Sequence, residues 1–199
     1  MMIDTGYNPR PLQAEIHRHL RRFSVLVCHR RFGKTVLAVN ALIDAALRCR
    51  MPQPRYAYIA PLYRQAKAIA WDYLQRFSES IPQTRANQSE LFIEYPTGAR
   101  ITLYGADNPD SMRGLYLDGT VLDEVAQMRP EVWGEIIRPE LVDRKGWALF
   151  IGTPKGMNLF HELYQQAVRD ESWYAGMYQA SKTGIIPETE LDAARSMMT

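Results

Sequence analysis

At 199 residues the chain is long enough for one substantial α/β domain or two very small ones. Hydrophobic residues make up 46% and charged residues 23%, so a real core can be buried and disorder by composition is excluded. Lys and Arg number 24 against 22 Asp and Glu; the net charge of +2 excludes a strongly basic tail as the leading feature, though a local basic patch fits within it.

Short apolar runs alternate with longer helical patterns, which predicts a mostly parallel sheet flanked by helices. A helix begins at Pro11 and reaches about Arg22, with proline in its first turn. Phe23 to Cys28 reads as a buried strand, and apolar residues from Val36 to Leu47 follow a helical period within Lys34 to Arg50. Met51-Pro52-Gln53-Pro54 stops that helix. Tyr56 to Ala60 is a second buried strand and Tyr63 to Ser80 a second long helix. Leu91 to Tyr95 and Ile101 to Tyr104 flank Pro96-Thr97-Gly98, a hairpin signature. Thr120-Val121-Leu122 is a core strand ending in Asp123-Glu124, followed by a helix over Glu131 to Val142 interrupted near Pro139. Trp147 to Ile151 is another strand, Asn158 to Arg169 a helix, and Trp173 to Tyr178 a last strand. From Ser181 to Thr199 the chain is polar, with a helix after Pro187.

Gly33-Lys34-Thr35 stands directly between a predicted buried strand and a predicted helix, the setting a phosphate loop needs. There, backbone N–H groups and the helix N-terminus receive the β-phosphate, Lys34 reaches the β and γ oxygens, and the Thr35 hydroxyl ligates Mg²⁺. The full G-x-x-x-x-G-K-[ST] pattern asks for glycine at position 28, where this chain has Cys28. A bare G-K-T recurs by accident, so a second motif has to decide. Val121-Leu122-Asp123-Glu124 provides it, placing two carboxylates at the C-terminal tip of a strand, where parallel sheets bind ligands. Asp123 can hold Mg²⁺, and Glu124 can orient and deprotonate an attacking water. Alone, Asp-Glu at a strand end is a solvated turn; paired with the upstream loop it reads as catalytic.

Further candidates lie between and around these anchors. His29-Arg30-Arg31-Phe32 fills the variable part of the loop, and Arg30, ahead of Arg31, can set a guanidinium against the γ-phosphate in the transition state. Either arginine could instead neutralise solvent-facing phosphate or pair with the carboxylates. Arg113, in Ser111-Met112-Arg113-Gly114, is either a finger offered to a neighbouring subunit or an ordinary surface arginine. Thr153, in Gly152-Thr153-Pro154, can sense the γ-phosphate, although a plain turn uses the same residues. Gln13 offers an amide able to read N6 and N7 of adenine, against an exposed helix-start glutamine as the alternative. The four histidines, His17, His19, His29 and His161, form no ligand cluster, and Met197-Met198 read as packing or terminal residues. Cys28 and Cys49 have no metal-like spacing, which points to a reduced, cytosolic setting. No apolar run approaches about 18 residues and no signal-peptide core opens the chain, so the expectation is a soluble intracellular domain without a membrane partner.

The ordered set R-P-L-Q at 10–13, C-H-R-R-F-G-K-T at 28–35, Y-I-A-P at 58–61, S-M-R-G at 111–114, V-L-D-E at 121–124 and I-G-T-P-K-G at 151–156 resembles the ATPase domain of bacteriophage large terminase subunits. The resemblance covers roughly residues 7 to 160. Such terminases often lack the first glycine of the loop and carry an arginine within it, so Cys28 is a small departure. The resemblance implies a P-loop sheet of the additional-strand, catalytic-glutamate type, RecA- and helicase-like and sandwiched by helices. It implies an Mg²⁺-dependent ATPase that drives double-stranded DNA into a procapsid, with ATP and Mg²⁺ as cofactors. By the same resemblance Gln13 reads adenine, and residues 28–35 (Cys28, His29, Arg30, Arg31, Phe32, Gly33, Lys34 and Thr35) form the nucleotide loop. Thr35 and Asp123 hold the metal, Glu124, Lys34 and Arg30 are catalytic, and Thr153 couples hydrolysis to motion.

The implied partners are double-stranded DNA, the portal protein, the small terminase subunit, and further copies in a ring of about five, with a monomer in isolation. The implied place is the host cytoplasm, transiently at the portal vertex. Residues 1–180 are expected to be the motor domain and 181–199 the start of a linker toward a C-terminal nuclease domain. The chain has no room for that domain, and nuclease activity is not expected of it. Arg64, Lys67, Arg76 and Arg85 are candidate DNA contacts, with a solvated helix face as the alternative. Two other functions stay open. A superfamily 2 type helicase or remodelling ATPase shares these motifs but needs a second RecA-like domain. An inactive P-loop interaction module is disfavoured by intact Lys34, Thr35, Asp123 and Glu124.

Overall fold

The computed structural model describes residues 4–196; Met197 and Met198 lie outside the described residues. An eight-stranded sheet runs in the order β3-β4-β5-β2-β6-β7-β1-β8. Its strands are β1 (Phe23–Cys28), β2 (Arg55–Ala60), β3 (Arg85–Asn87), β4 (Phe92–Glu94), β5 (Arg100–Gly105), β6 (Gly119–Asp123), β7 (Trp147–Gly152) and β8 (Trp173–Tyr178). Every pairing from β5 across to β8 is parallel, and only β3-β4 and β4-β5 are antiparallel. The hairpin read around Pro96-Thr97-Gly98 is β4-β5. Strand β7 lies between β1 and β6, the additional strand of the expected fold type.

The central strands are buried on both faces, as their continuous apolar runs require. Along β1, Val25 and Val27 face one core and Leu26 and Cys28 the other. One face is covered by helices α1 (Pro11–His19) and α2 (Lys34–Arg48) and by a helix over 63–78. The other is covered by a helix over 132–140 and by the helix Leu159–Arg169, around Trp133, Phe150 and Trp173. The Phe150 ring meets Trp133 edge-on at 4.6 Å and stacks on Trp173 at 6.1 Å.

Differences from the sequence reading have local causes. Helix α1 stops at His19, not Arg22, because Leu20 turns extended. The long helix after β2 ends at Ser78 and contains a π-helical stretch, Ala66–Ala70, that widens it beside the site described below. Val132–Ile137 is also π-helical, and it runs into Arg138–Glu140, where Pro139 has no N–H to continue the ladder. Strand β3 carries no apolar residue but Ala86 and gave no periodic signal. After β8 the chain forms a short helix, Ala180–Thr183, and then Glu188–Ser196, none of whose residues is buried. Among the described residues no helix is long and apolar enough to cross a membrane.

Candidate active site

Parallel pairing aligns the C-terminal ends of β1, β7 and β6 along one edge of the sheet. The loop 29–33 leaves β1 there, Thr153 follows β7, and Asp123 ends β6, opposite Ile151 in register. The loop enters α2 through Gly33 at φ 86°, where a Cβ would stand 2.8 Å from Gln13 Nε2. Position 33 therefore needs glycine on two counts, backbone conformation and close approach.

Lys34 Nζ lies 2.9 Å from Glu124 Oε1. Glu124 follows β6 in a left-handed conformation, φ 50°, uncommon for a non-glycine residue, and its Oε2 accepts from the Thr153 N–H at 3.3 Å. Asp123 is buried; its Oδ1 accepts from the Glu124 N–H at 2.9 Å and its Oδ2 from the Tyr58 hydroxyl. Burial pushes the Asp123 carboxyl up to about 6, with the Tyr58 hydrogen bond opposing the shift. Tyr58 is fully buried on β2, and burial holds its phenol far above the ordinary range. A cavity of about 390 Å³ opens over this group, lined by Arg30, Tyr58, Gln65, Glu124, Thr153 and Lys155 among others. Its dimensions and its mixture of cations and carboxylates suit a phosphate chain and an attacking water.

The other loop residues face elsewhere. Phe32 is buried against Tyr178, with ring centroids 4.9 Å apart, and anchors the loop from below. His29 points away from the cavity: its Nε2 pairs with Thr183 Oγ1 at 2.9 Å and its Nδ1 with the Arg30 carbonyl at 2.6 Å. Arg31 is exposed in a left-handed conformation and its carbonyl faces Arg10 Nη1 at 3.5 Å. The Cys28 side chain is sealed in the core, and burial pushes its thiol up to about 12. Any nucleotide contact by Cys28, His29 or Phe32 would thus be made by main chain. Gln13 is also buried, with Oε1 accepting from the Arg10 N–H at 2.9 Å and Nε2 donating to the Gly33 carbonyl at 3.1 Å. It ties α1 to the loop and borders a second cavity of about 260 Å³ with Tyr7, Asn8, Arg10 and Arg76.

Arg113 lies outside the catalytic cavity, exposed and paired with Asp110 at 2.9 Å. Arg64, Lys67, Arg76 and Arg85 are all exposed. A further cavity, about 900 Å³, lies toward the opposite edge of the sheet by Ser24 and Trp147 and holds none of these motif residues. Sequence reasoning assigned no role to Tyr58, Gln65, Gln127 or Lys155, which the fold brings to the catalytic cavity. For Tyr58 the available signal was its place at the head of Y-I-A-P, 58–61, which carried no role for the hydroxyl itself.

No protein-family model matches the chain. Among curated proteins, the large terminase subunit of Thermus phage G20c is 32% identical over 207 residues, covering 94% of this chain and 41% of that protein. The large terminase subunit of Escherichia phage T5 is 29% identical over 153 residues, covering 75% of this chain and 34% of that protein. The chain thus spans about two fifths of the length of the first of these relatives. Among solved structures, the large terminase ATPase domain of Thermus phage P74-26 matches with a TM-score of 0.81 at 26% identity, covering 100% of this chain and 94% of that one. On sequence and fold together, the chain belongs to the bacteriophage large terminase subunits and corresponds to their ATPase domain.

Proposed function

We propose that this chain hydrolyses ATP in an Mg²⁺-dependent reaction and that the hydrolysis drives double-stranded DNA into a viral procapsid. The observation that carries the reading is the meeting of Lys34 and Glu124, 2.9 Å apart, at the mouth of a phosphate loop. Lys34 would bind the β and γ oxygens, with the loop N–H groups and the start of α2 beneath them. Glu124, already oriented by the Thr153 N–H, would take the proton of the attacking water. Arg30, lining the same cavity, would offset charge spreading over the γ oxygens. The donor set, the Thr35 hydroxyl in the first turn of α2 and the Asp123 carboxylate at the cavity wall, fits Mg²⁺, which needs only one or two protein oxygens beside phosphate and water. When bound there, Mg²⁺ would polarise the β and γ oxygens. The 260 Å³ cavity beside Gln13 would take the adenine.

Loops leaving β7 at Thr153 share Glu124 with the catalytic cavity, so loss of product there would be felt beyond it. Arg113, solvent-facing and clear of its own cavity, would serve a neighbouring subunit in a ring of about five. The wider assembly would comprise the portal protein, the small terminase subunit and DNA, in the host cytoplasm at the portal vertex. Each subunit, with a net charge of +2, would grip the duplex weakly and gain by summation around the ring. Residues 1–180 would be the motor body and 181–199 the lead into a further domain.

The test is phosphate release from ATP and Mg²⁺, with and without DNA, by the chain and by Glu124→Gln. The substitution should retain nucleotide binding and reduce turnover by at least about 100-fold. Normal phosphate release by Glu124→Gln would overturn the assignment.

A further inference from the structure

We infer that Tyr58 is a positioning residue that sets the metal-facing carboxylate of Asp123 through its hydroxyl; this rests on the nucleotide-site reading above. Tyr58 stands on β2, next to β6 in the sheet, and is the largest of the fully buried side chains. Its hydroxyl donates to Asp123 Oδ2. A phenol has one proton and, when ionised, Asp123 offers only acceptors. The Tyr58 proton is therefore committed to Asp123.

Both oxygens of Asp123 are fixed in the same way, Oδ1 by the Glu124 N–H and Oδ2 by Tyr58. Each still has a lone pair free, so the carboxylate is held in one rotamer without being used up. Tyr58 also lines the catalytic cavity, which lets the relay lie at its wall without the phenol itself reaching solvent. An outer-shell group that orients a metal ligand changes metal affinity by about 10–100-fold when removed. A phenylalanine at 58 keeps the ring in the core and removes only the hydroxyl that holds Asp123.

The test is calorimetric binding of ADP to Tyr58→Phe and to the parent chain, once in EDTA and once across a Mg²⁺ series. ADP affinity in EDTA should stay within about twofold, while the gain on adding Mg²⁺ should fall about tenfold or more. Equal losses with and without Mg²⁺ would mean that Tyr58 is merely structural, and an unchanged Mg²⁺ gain would also overturn the inference. A parent chain without any Mg²⁺-dependent gain would instead overturn the nucleotide-site reading and this inference with it. If Tyr58→Phe does not fold, the parent labelled with ¹³C at the tyrosine Cζ decides. The Tyr58 resonance should move when Mg²⁺ joins ADP and not with ADP alone; a resonance indifferent to Mg²⁺ would overturn the proposal.

Discussion

Lys34 Nζ and Glu124 Oε1 are 2.9 Å apart, both in side chains largely withdrawn from solvent. The residue expected to bind phosphate and the residue expected to handle water neutralise each other across the cavity mouth. A γ-phosphate entering between them would have to take Lys34 from Glu124, and in doing so would leave the carboxylate free for a water proton. On the proposed reading, binding and activation of the base would then be one event.

The pair makes a prediction beyond loss of turnover. Glu124→Gln removes the competing anion, so Lys34 should bind phosphate without first breaking an ion pair. Calorimetry should show a non-hydrolysable ATP analogue bound a few-fold more tightly than by the parent, a difference of about 0.5–1 kcal/mol, the usual worth of a partly exposed pair. Lys34→Ala should do the reverse and lose most nucleotide affinity. Weaker binding of the analogue by Glu124→Gln would mean that the pair does not compete with the nucleotide.

Gln13 is expected to matter to the loop as much as to any base. Its two hydrogen bonds, to the Arg10 N–H and the Gly33 carbonyl, are each worth about 1 kcal/mol when buried. Gln13→Ala should lower the melting temperature by about 4–8 °C for a chain of this size. Gly33→Ala should cost at least about 1–2 kcal/mol, since it needs both a positive φ and the displacement of Gln13. Thermal melting of the two single variants and the double variant separates these effects. A smaller penalty for Gly33→Ala in the Gln13→Ala background is expected, because the colliding amide is gone.

Cys28 occupies the place where the phosphate-loop pattern asks for glycine, and the structure makes it a core residue. Restoring the pattern with Cys28→Gly should therefore destabilise the chain by about 1–3 kcal/mol, through lost burial and a freer strand end. With its thiol pushed up to about 12, Cys28 should also resist alkylation at neutral pH. Partly exposed Cys49 should be labelled first. Mass spectrometry of peptides after brief iodoacetamide treatment reads both sites. Preferential labelling of Cys28 would contradict its burial.

His29 joins the loop to the segment that follows β8. Its ring bridges the Arg30 carbonyl and Thr183 Oγ1, and the His29 main-chain N–H donates to the Tyr178 carbonyl at 3.1 Å. His29→Ala should leave the sheet intact and loosen the short helix Ala180–Thr183. Hydrogen exchange should rise there and not in β1. Unchanged exchange at 180–183 would show that the helix is held by other contacts.

The parts of the fold that the sequence made legible are those where local chemistry and final environment agree. Strand β1 appeared as six consecutive apolar or small residues because it is buried on both faces. Asp123-Glu124 was legible because two carboxylates at the end of such a strand have few other uses. What escaped depended on neighbours distant in sequence. Strand β3 exists only because β4 offers it an edge, and its exposed residues show no period. The π-helical stretch Ala66–Ala70 has an ordinary helical composition, and nothing local marks the extra residue per turn. Tyr58 looked like one more core aromatic until the sheet brought it to Asp123, 65 positions away.

Asp123 gives the last prediction, from the sign of its proton linkage. Its carboxyl titrates near 6 in the folded chain against an ordinary value of 3.8, because burial disfavours the anion. Between those values the folded state keeps the proton and the unfolded state has released it, so stability falls as pH rises through that window. Above about 6 the fold carries the full cost of the buried charge, about 1–3 kcal/mol. Asp123→Asn keeps the shape without the charge and should be more stable than the parent at pH 7–8, in EDTA, while losing turnover. Its denaturation midpoint in urea should change less between pH 4 and pH 7 than that of the parent. Equal pH slopes for the two would mean that Asp123 is not the source of the linkage. A stability gain together with lost turnover would identify a charge kept at the site for function at the fold's expense.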